Sequence, residues 1–269
     1  LVVSWWANVR FEKSFTQDLC ILLRASGCIA VSGGLEVASD RLLELIQKGI
    51  TVAQVARVSK HFSEAGIMVH AYLMYGFPTQ TVQETIDSLE MIRQFFETGI
   101  LQSAFWHLFT MTAHSPIGLE PEKYKVKKNN TEIGSFANND IEHTDPTGAN
   151  HELFGYGLKK ALLNYMHGHG IDFPLHKWFD FKVPTTTIPN NYIQKAIQEP
   201  VYNTSSNYKT IWLGTMPSTT IVQKSKKGNI FLVSLYNKKD FTSSDLETIS
   251  INKSHSSKVY FNSRTYINL

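Results

Sequence analysis

Four residues near the start of the chain are suited to holding a charged small molecule: Arg10, Gly33, Gly34 and Glu36. A guanidinium clamps a carboxylate through two parallel hydrogen bonds. A carboxylate accepts from hydroxyls or from an amine. An arginine and a glutamate facing one cavity therefore suit a zwitterion such as an amino acid. The glycine pair permits positive φ and close approach of a ligand to the backbone. Asn8 stands beside Arg10, and two further groups follow: Tyr75, Gly76, Phe77 and Pro78, then His107, Thr110, Thr112 and His114.

Each group also has a plainer role. The glycine pair makes a tight turn, Arg10 and Glu36 pair with each other or cap a helix, and Gly76 to Pro78 steer a strand into a helix. His107, inside an apolar run, reads first as a core histidine. Five further histidines (His143, His151, His167, His169, His176) lack the H-x-x-x-H spacing that puts two ligands on one helical face, so no metal site is expected from them. Cys20 and Cys28 fall in an apolar helix and strand and read as small hydrophobes.

The elements that must position these groups alternate in periodicity. Residues 1–7, 28–32, 67–74 and 100–109 are short apolar runs that read as strands. Between them, residues 16–26, 39–47, 51–65 and 81–98 carry helical spacing, and Gly27, Gly66 and Gly99 stop three of these helices. Thr51-x-x-Gln54 and Thr81-x-x-Glu84 have the capping-box pattern. Strand–helix–strand alternation with short links predicts right-handed crossovers and a parallel sheet. Nearly continuous apolar strands predict that both sheet faces are covered. An α/β barrel or part of one fits best, with a doubly wound sheet as the alternative. Every candidate residue then falls beyond the carboxyl end of a strand, where ligands bind in such folds.

From residue 115 to about 197 the pattern loosens. Lys123, Lys125, Lys127 and Lys128 suggest a solvated loop, and residues 151–166 a helix with Leu153, Leu158, Ala161, Leu162 and Tyr165 on its apolar side. Beyond 200 come short β-like runs at 211–213, 229–235 and 258–261 between Ser/Asn/Lys clusters. Residues 1–200 carry a net −3 and residues 201–269 a net +6, which marks a domain boundary near Pro200. The expected domains are therefore 1–115, 116–200 and 201–269. No segment has the ~18–20 uncharged apolar residues of a membrane span. Two cysteines among 269 residues exclude a secreted disulfide scaffold, and they cannot build an iron–sulfur or zinc site that needs three or four thiolates.

The strings SGCIAVSGGLEVASDRLLELIQKGITVAQV and SEAGIMVHAYLMYGFPTQTVQETIDSLEMI carry several linked motifs in order. Together they resemble the second half of the radical S-adenosylmethionine (radical SAM) core, in the branch whose members often carry an upstream cobalamin-binding domain. The resemblance spans about residues 1–115. AHSPIGLEP, FANND and NYMHGHG further resemble the C-terminal extension of a subgroup of that branch.

The resemblance implies the last four βα units of a six-stranded partial (β/α) barrel, a helical extension and a small β-rich C-terminal region. It implies SAM and a 4Fe–4S cluster as cofactors, a reductant such as flavodoxin or ferredoxin, and 5′-deoxyadenosyl-radical or methyl-transfer chemistry on an unidentified substrate in the cytoplasm. By position, Glu36 matches the acidic residue that contacts SAM, Gly33 and Gly34 its glycines, and Arg10 a basic or polar position near the methionyl part. Tyr75, Gly76, Phe77 and Pro78 match the turn near adenine and ribose. His107, Thr110 and His114 fall on the substrate side.

Two departures stand out. Val37 occupies the usual serine position, so the hydroxyl contact is absent or comes from Ser39. The C-x-x-x-C-x-x-C cluster motif is missing, and the chain opens at Leu1 within an apolar run. The expectation is a fragment whose cluster-binding half lies elsewhere. A rival of another class is a non-catalytic binding or scaffold module using the basic tail (Lys224, Lys226, Lys227, Lys238, Lys239) to hold a partner such as RNA.

Overall fold

Four parallel strands in the order β1-β2-β3-β4 organise the chain: β1 Trp5–Val9, β2 Cys28–Glu36, β3 Met68–Tyr75 and β4 Ser103–Leu108. The structure is a computed structural model describing residues 3–129 and 139–198, and beyond them only the backbone of short strands. Contacts divide the chain into the units Leu1–Tyr202 and Asn203–Leu269.

Helices α1 Gln17–Ala25, α2 Asp40–Leu45, α3 Val52–Glu64 and α4 Val82–Glu97 form the crossovers. Their boundaries follow side-chain caps. Thr16, Ser39, Thr51 and Thr81 each accept from a backbone N–H three residues on. Such a cap contributes about 1 kcal/mol. The capping box closes in both directions at Thr81/Glu84. At Thr51 it does not, because the Gln54 amide donates instead to the Phe11 carbonyl at 2.8 Å. That bond holds the Gln54 side chain and ties α3 to the segment after β1.

Val31 and Val69, then Gly33, Ala71 and Ala104, then Leu73 and Trp106 occupy the helix-covered face of the sheet. Phe62, Ile86, Leu89, Ile92 and Phe95 pack over them from α3 and α4, together with Leu158 and Leu162 from a later helix. Burying one such side chain stabilises by roughly 1.5–3 kcal/mol. The opposite face differs from the sequence expectation. Trp6, Met68 and Phe105 are 61%, 53% and 50% exposed, and Tyr72 39%. Among the described residues the sheet is covered on one side only.

The extension continues with α5 Pro116–Leu119, the two-residue strands β5 Lys127–Lys128 and β6 His143–Thr144, then α6 Gly155–Met166 and α7 Tyr192–Gln198. The lysines expected in a loop thus partly form a ribbon, β5 pairing antiparallel with β6. The helix expected over 151–166 begins as a 3-10 turn at His151–Phe154, and Leu153 is 58% exposed, off its expected apolar side. A second apolar cluster, with Val37, Leu42, Phe77, Met111, Ala113, Ile117, Tyr124, Val126 and Ile141, packs the extension onto residues just past β2 and β3.

Residues 185–193 run along α4, whose outer side is consequently buried although it is polar. Asp87 accepts from Gln83 Nε2 (3.0 Å), Thr186 Oγ1 (2.8 Å), Thr187 N (2.7 Å) and Thr187 Oγ1 (2.6 Å). Gln94 donates to the Pro189 carbonyl and accepts from Ile193 N.

In the second unit, β7 Thr210–Trp212 pairs with β12 Tyr266–Asn268. The unit also holds β8 Ser218–Ser225, β9 Gly228–Asn237, β10 Thr242–Asp245 and β11 Ile249–Ile251; β9 pairs antiparallel with the other three. Lys226, Lys227, Lys238, Lys239 and the run 258–261 lie outside the described residues, and Lys224 is described by its backbone alone. Among the described residues no helix is long and apolar enough to cross a membrane.

Removing a charged acceptor strands its buried donors. Asp87→Ala is expected to destabilise the first unit by about 2–3 kcal/mol in urea unfolding, and to speed proteolysis around residues 182–188. Wild-type stability would mean that apolar contacts alone hold this segment.

Candidate functional site at the strand ends

Glu36 ends β2 in an unusual conformation. Its φ is 60°, and the β2–β3 register shifts between Gly34 and Glu36. A non-glycine residue in this region stores roughly 1–3 kcal/mol. Its carboxylate is held by Lys48, whose Nζ donates to Glu36 Oε1 at 2.5 Å. Both side chains are half-buried. Arg10 and Glu36 do not pair: Arg10 donates from Nη2 to the Lys48 carbonyl, and its Nε lies 3.8 Å from Glu12.

The glycine pair serves packing rather than a turn. Both lie inside β2, and neither has positive φ. A Cβ on Gly33 would sit 2.5 Å from the buried Phe11 ring, and one on Gly34 would sit 2.1 Å from Glu36 Oε1. The close approach expected of a ligand is made by the chain's own side chains.

Ser39 caps α2 and donates to Glu84 Oε1 at 3.1 Å. Arg41 grips the same carboxylate with Nε (2.7 Å) and Nη2 (2.8 Å), and it also donates to the Thr79 hydroxyl and carbonyl. Burial pushes the Glu84 carboxyl up. Hydrogen bonds from Arg41, Thr81 and Ser39 outweigh burial and hold it below the usual carboxylate range. This hub fastens the loop after β2 to the loop after β3.

The turn after β3 is closed from inside. Gly76 N and Phe77 N both donate to Gln80 Oε1, and Gln80 Nε2 donates to Thr85 Oγ1. Gly76 has φ 80°, and a Cβ there would lie 2.9 Å from Leu108 Cδ1 and 3.1 Å from His151 Cβ. Phe77 and Pro78 are buried, Phe77 in the second cluster. Tyr75 packs against Trp106 on the helix-covered side, where burial and the Glu152 charge raise its phenol pKa. Asp145 Oδ2 accepts from Thr79 N at 2.7 Å, while its Oδ1 accepts from Thr147 and Gly148.

His151 lies beneath this turn, 8% exposed, with no hydrogen-bond partner on either ring nitrogen. The nearby Gln80 carbonyl takes the Ala149 N–H instead, at 3.3 Å. Burial pushes the His151 pKa below the ordinary value, against smaller upward pulls from Gln80, Asp145 and Glu84.

On the open face, register aligns Asn8, Ser32, His70 and Ser103 in one polar row, with His70 Nδ1 2.8 Å from Ser103 Oγ. His107 corrects its core reading. It is exposed on this face, with its ring 4.5 Å from that of Phe105 and 6.4 Å from that of Tyr72. Thr110 and His114 are exposed beyond β4, and Thr112 bridges to Asp140. The fold therefore brings Arg10, Gly34 and Glu36 together around Lys48, and leaves His107, Thr110 and His114 as separate exposed groups.

Sequence reasoning missed Lys48, Gln80, Asp145, His151 and His70. Only His70 left a local trace, the period-2 row Met68, His70, Tyr72, Met74. Among the described residues no group of three or more His, Cys, Asp and Glu is arranged to hold a metal. Cys20 and Cys28 are buried in the helix-side core. Burial, with the neighbouring Cys28, pushes the Cys20 thiol up to about 12. These protonated thiols do not fit an iron–sulfur cluster, whose ligands are thiolates.

Residues 11–92, which run from the end of β1 into α4, match the sequence model of the Radical SAM superfamily. The family resemblance read from the motifs holds over this segment, which is similar to the radical SAM superfamily. An uncharacterized methyltransferase of Pyrococcus horikoshii is 31% identical over 94 residues, 35% of this chain and 20% of the relative. An uncharacterized protein of Methanopyrus kandleri is 33% identical over 70 residues, 26% of this chain and 13% of the relative. The chain therefore spans at most about a fifth of the curated relatives it matches.

Among solved structures, the radical SAM methyltransferase TsrM from Kitasatospora setae, with cobalamin and a 4Fe–4S cluster bound, is 16% identical with a TM-score of 0.43. The match covers 60% of this chain and 36% of that one. Elp3 of Methanocaldococcus infernus is 11% identical with a TM-score of 0.38, covering 90% and 55%.

Two outcomes test this geometry. Gly33→Ala overpacks Phe11 and is expected to cost about 1–3 kcal/mol in urea unfolding, whereas a ligand-clearance role would leave the free protein's stability unchanged. Because the folded His151 pKa lies below its unfolded value, its contribution to stability is complete above about pH 6.5 and lost as pH falls below that. His151→Phe should flatten the fall in the urea midpoint between about pH 6.5 and 5.5; an unchanged profile would assign that fall to other groups.

Proposed function

We propose that this chain supplies the SAM-binding and substrate-facing part of a radical SAM enzyme. The observation that carries this reading is the superfamily match over residues 11–92, which contains Glu36, Lys48 and the turn at Gly76 to Pro78. In this reading β1 to β4 are the last four strands of a six-stranded partial (β/α) barrel, and their open face is its interior. The proposed division is residues 1–115 for the barrel, 116–200 for the extension and 201–269 for the small β-rich domain.

SAM is held at the rim formed by Arg10, Gly34, Glu36 and Ser39, with Gly76 to Pro78 shaping the neighbouring wall and Gly33 and Tyr75 supporting both from the helix-covered side. When bound, it supplies a 5′-deoxyadenosyl radical or a methyl group. Glu36 serves as the acceptor for ligand N–H or O–H groups. Ser39 and Glu84 keep its loop fixed against α4. His107, Thr110 and His114 face the substrate, whose identity is open.

The cluster ligands are proposed to lie outside the described residues, since the two buried thiols do not fit that role. A cobalamin domain, a flavodoxin- or ferredoxin-type reductant and a cytoplasmic setting complete the proposal on the family resemblance alone.

Two measurements test it. Full-length protein reconstituted anaerobically with iron and sulfide should turn brown and cleave SAM under reductant; intact early strands without a C-x-x-x-C-x-x-C motif would overturn the enzyme reading. S-adenosylhomocysteine should bind the chain, and Glu36→Gln should weaken it about 10- to 100-fold by calorimetry, the loss of one charge-assisted hydrogen bond. Equal affinity would remove Glu36 from the site.

A further inference from the structure

Four rings follow one another across the open face of the sheet. On β3 the His70 and Tyr72 rings meet edge to face, with centroids 5.0 Å apart. Tyr72 stands 6.4 Å from His107 on β4, and His107 stands 4.5 Å from Phe105. These separations lie in the range over which aromatic rings attract. Phe105 is 50% exposed, Tyr72 39%, and His107 is exposed beside them. The interplanar angles run from 44° to 77°, so no ring lies flat on another and ring surface remains for a planar ligand.

The groups beside the rings are polar without charge. Ser103 Oγ engages His70 Nδ1 at 2.8 Å, and Nε2 is the ring nitrogen without a partner among the described residues. Burial lowers the His70 pKa, so this imidazole is neutral near pH 7. Asn8 and Ser32 continue the row on β1 and β2, and no hydrogen bond engages either side chain among the described residues. Within β1 to β4 the only Asp, Glu, Lys or Arg is Glu36, which stands at the rim and is paired with Lys48. Ser32 precedes Glu36 by four residues, about 13 Å at strand rise, so the uncharged face runs inward from the rim.

We propose that this face binds the substrate, and that the substrate presents a planar, uncharged aromatic ring with a hydrogen-bonding edge. The ring lies on Tyr72, Phe105 and His107, and its polar edge meets His70 Nε2 and the row beside it. An ionic group would lose hydration here without gaining a counter-charge. A purely apolar cover, such as a packed helix, would strand the polar row without partners. A flat ring with a polar edge meets both demands. The assignment rests on the reading of this sheet as a radical SAM barrel, and it names the class of substrate that the interior takes.

The test uses the full chain and three small probes. Benzamide has the flat ring and the polar edge, cyclohexanecarboxamide keeps the edge without the flat ring, and benzoate keeps the ring with a charge. Binding is followed by ligand-observed NMR with saturating S-adenosylhomocysteine present. Benzamide should bind about three- to tenfold more tightly than either analogue. Tyr72→Leu and His107→Leu, which keep apolar bulk, should each weaken benzamide by about three- to tenfold and leave cyclohexanecarboxamide unchanged. Tyr72→Phe, which returns the ring, should restore benzamide binding. His70→Leu removes the edge contact and should weaken both amides alike, by about three- to tenfold.

Equal affinity of the wild type for the two amides overturns the aromatic class, and tighter binding of benzoate overturns the uncharged one. Benzamide affinity unchanged in both leucine variants at Tyr72 and His107 puts the ring elsewhere and overturns the assignment. Benzamide that binds only when S-adenosylhomocysteine is left out occupies the SAM pocket, which overturns it too. The SAM site stands in each of these cases. Failure of the wild type to bind S-adenosylhomocysteine overturns the radical SAM reading and the substrate assignment with it.

Discussion

A parallel sheet carries apolar side chains on both faces, and among the described residues helices satisfy only one of them. That one-sided covering governs the rest of the molecule. On the helix side the strands can be packed tightly enough that Gly33 and Ala71 are needed beneath Phe11 and the helices. On the other side Trp6, Met68, Tyr72, Phe105 and His107 stand in solvent around a polar row. An exposed apolar face of this kind marks a surface that normally meets a ligand or more protein. It is also the face toward which the strand-end groups open.

The strand ends are held by side chains, not by the sheet alone. Glu84 collects hydrogen bonds from Arg41, Ser39 and Thr81 and so couples the loops after β2 and β3. Gln80 closes the second loop from within, and Asp145 brings the extension onto it. Lys48 fixes Glu36 from the other side. The chain's own side chains thus hold this polar rim in place.

Much of the architecture was legible in the chain. The alternation of periods 2 and 3.6 located β1, β3, β4 and the four crossover helices, and Thr16, Ser39, Thr51 and Thr81 marked their starts. The glycine pair misled, because a strand that must pass under a bulky ring uses glycine for clearance just as a turn uses it for φ. His107 misled too, since an apolar run in a parallel strand reads as buried on both faces and this one is not. The Arg10–Glu36 pairing failed because Lys48, 12 residues beyond Glu36, supplies both partners.

The sequence by itself determined the parallel α/β order and the resemblance of residues 11–92 to the radical SAM superfamily. These depend on local periodicity, caps and motifs, which short windows of residues carry. Tertiary structure alone decided that, among the described residues, one sheet face is left uncovered, that Glu36 is held by Lys48, and that His151 is buried beneath Gly76 with no hydrogen bond to its ring nitrogens. Those outcomes depend on which distant segments meet, and a half-buried ion pair or a covered face is a property of that meeting rather than of any one stretch of chain.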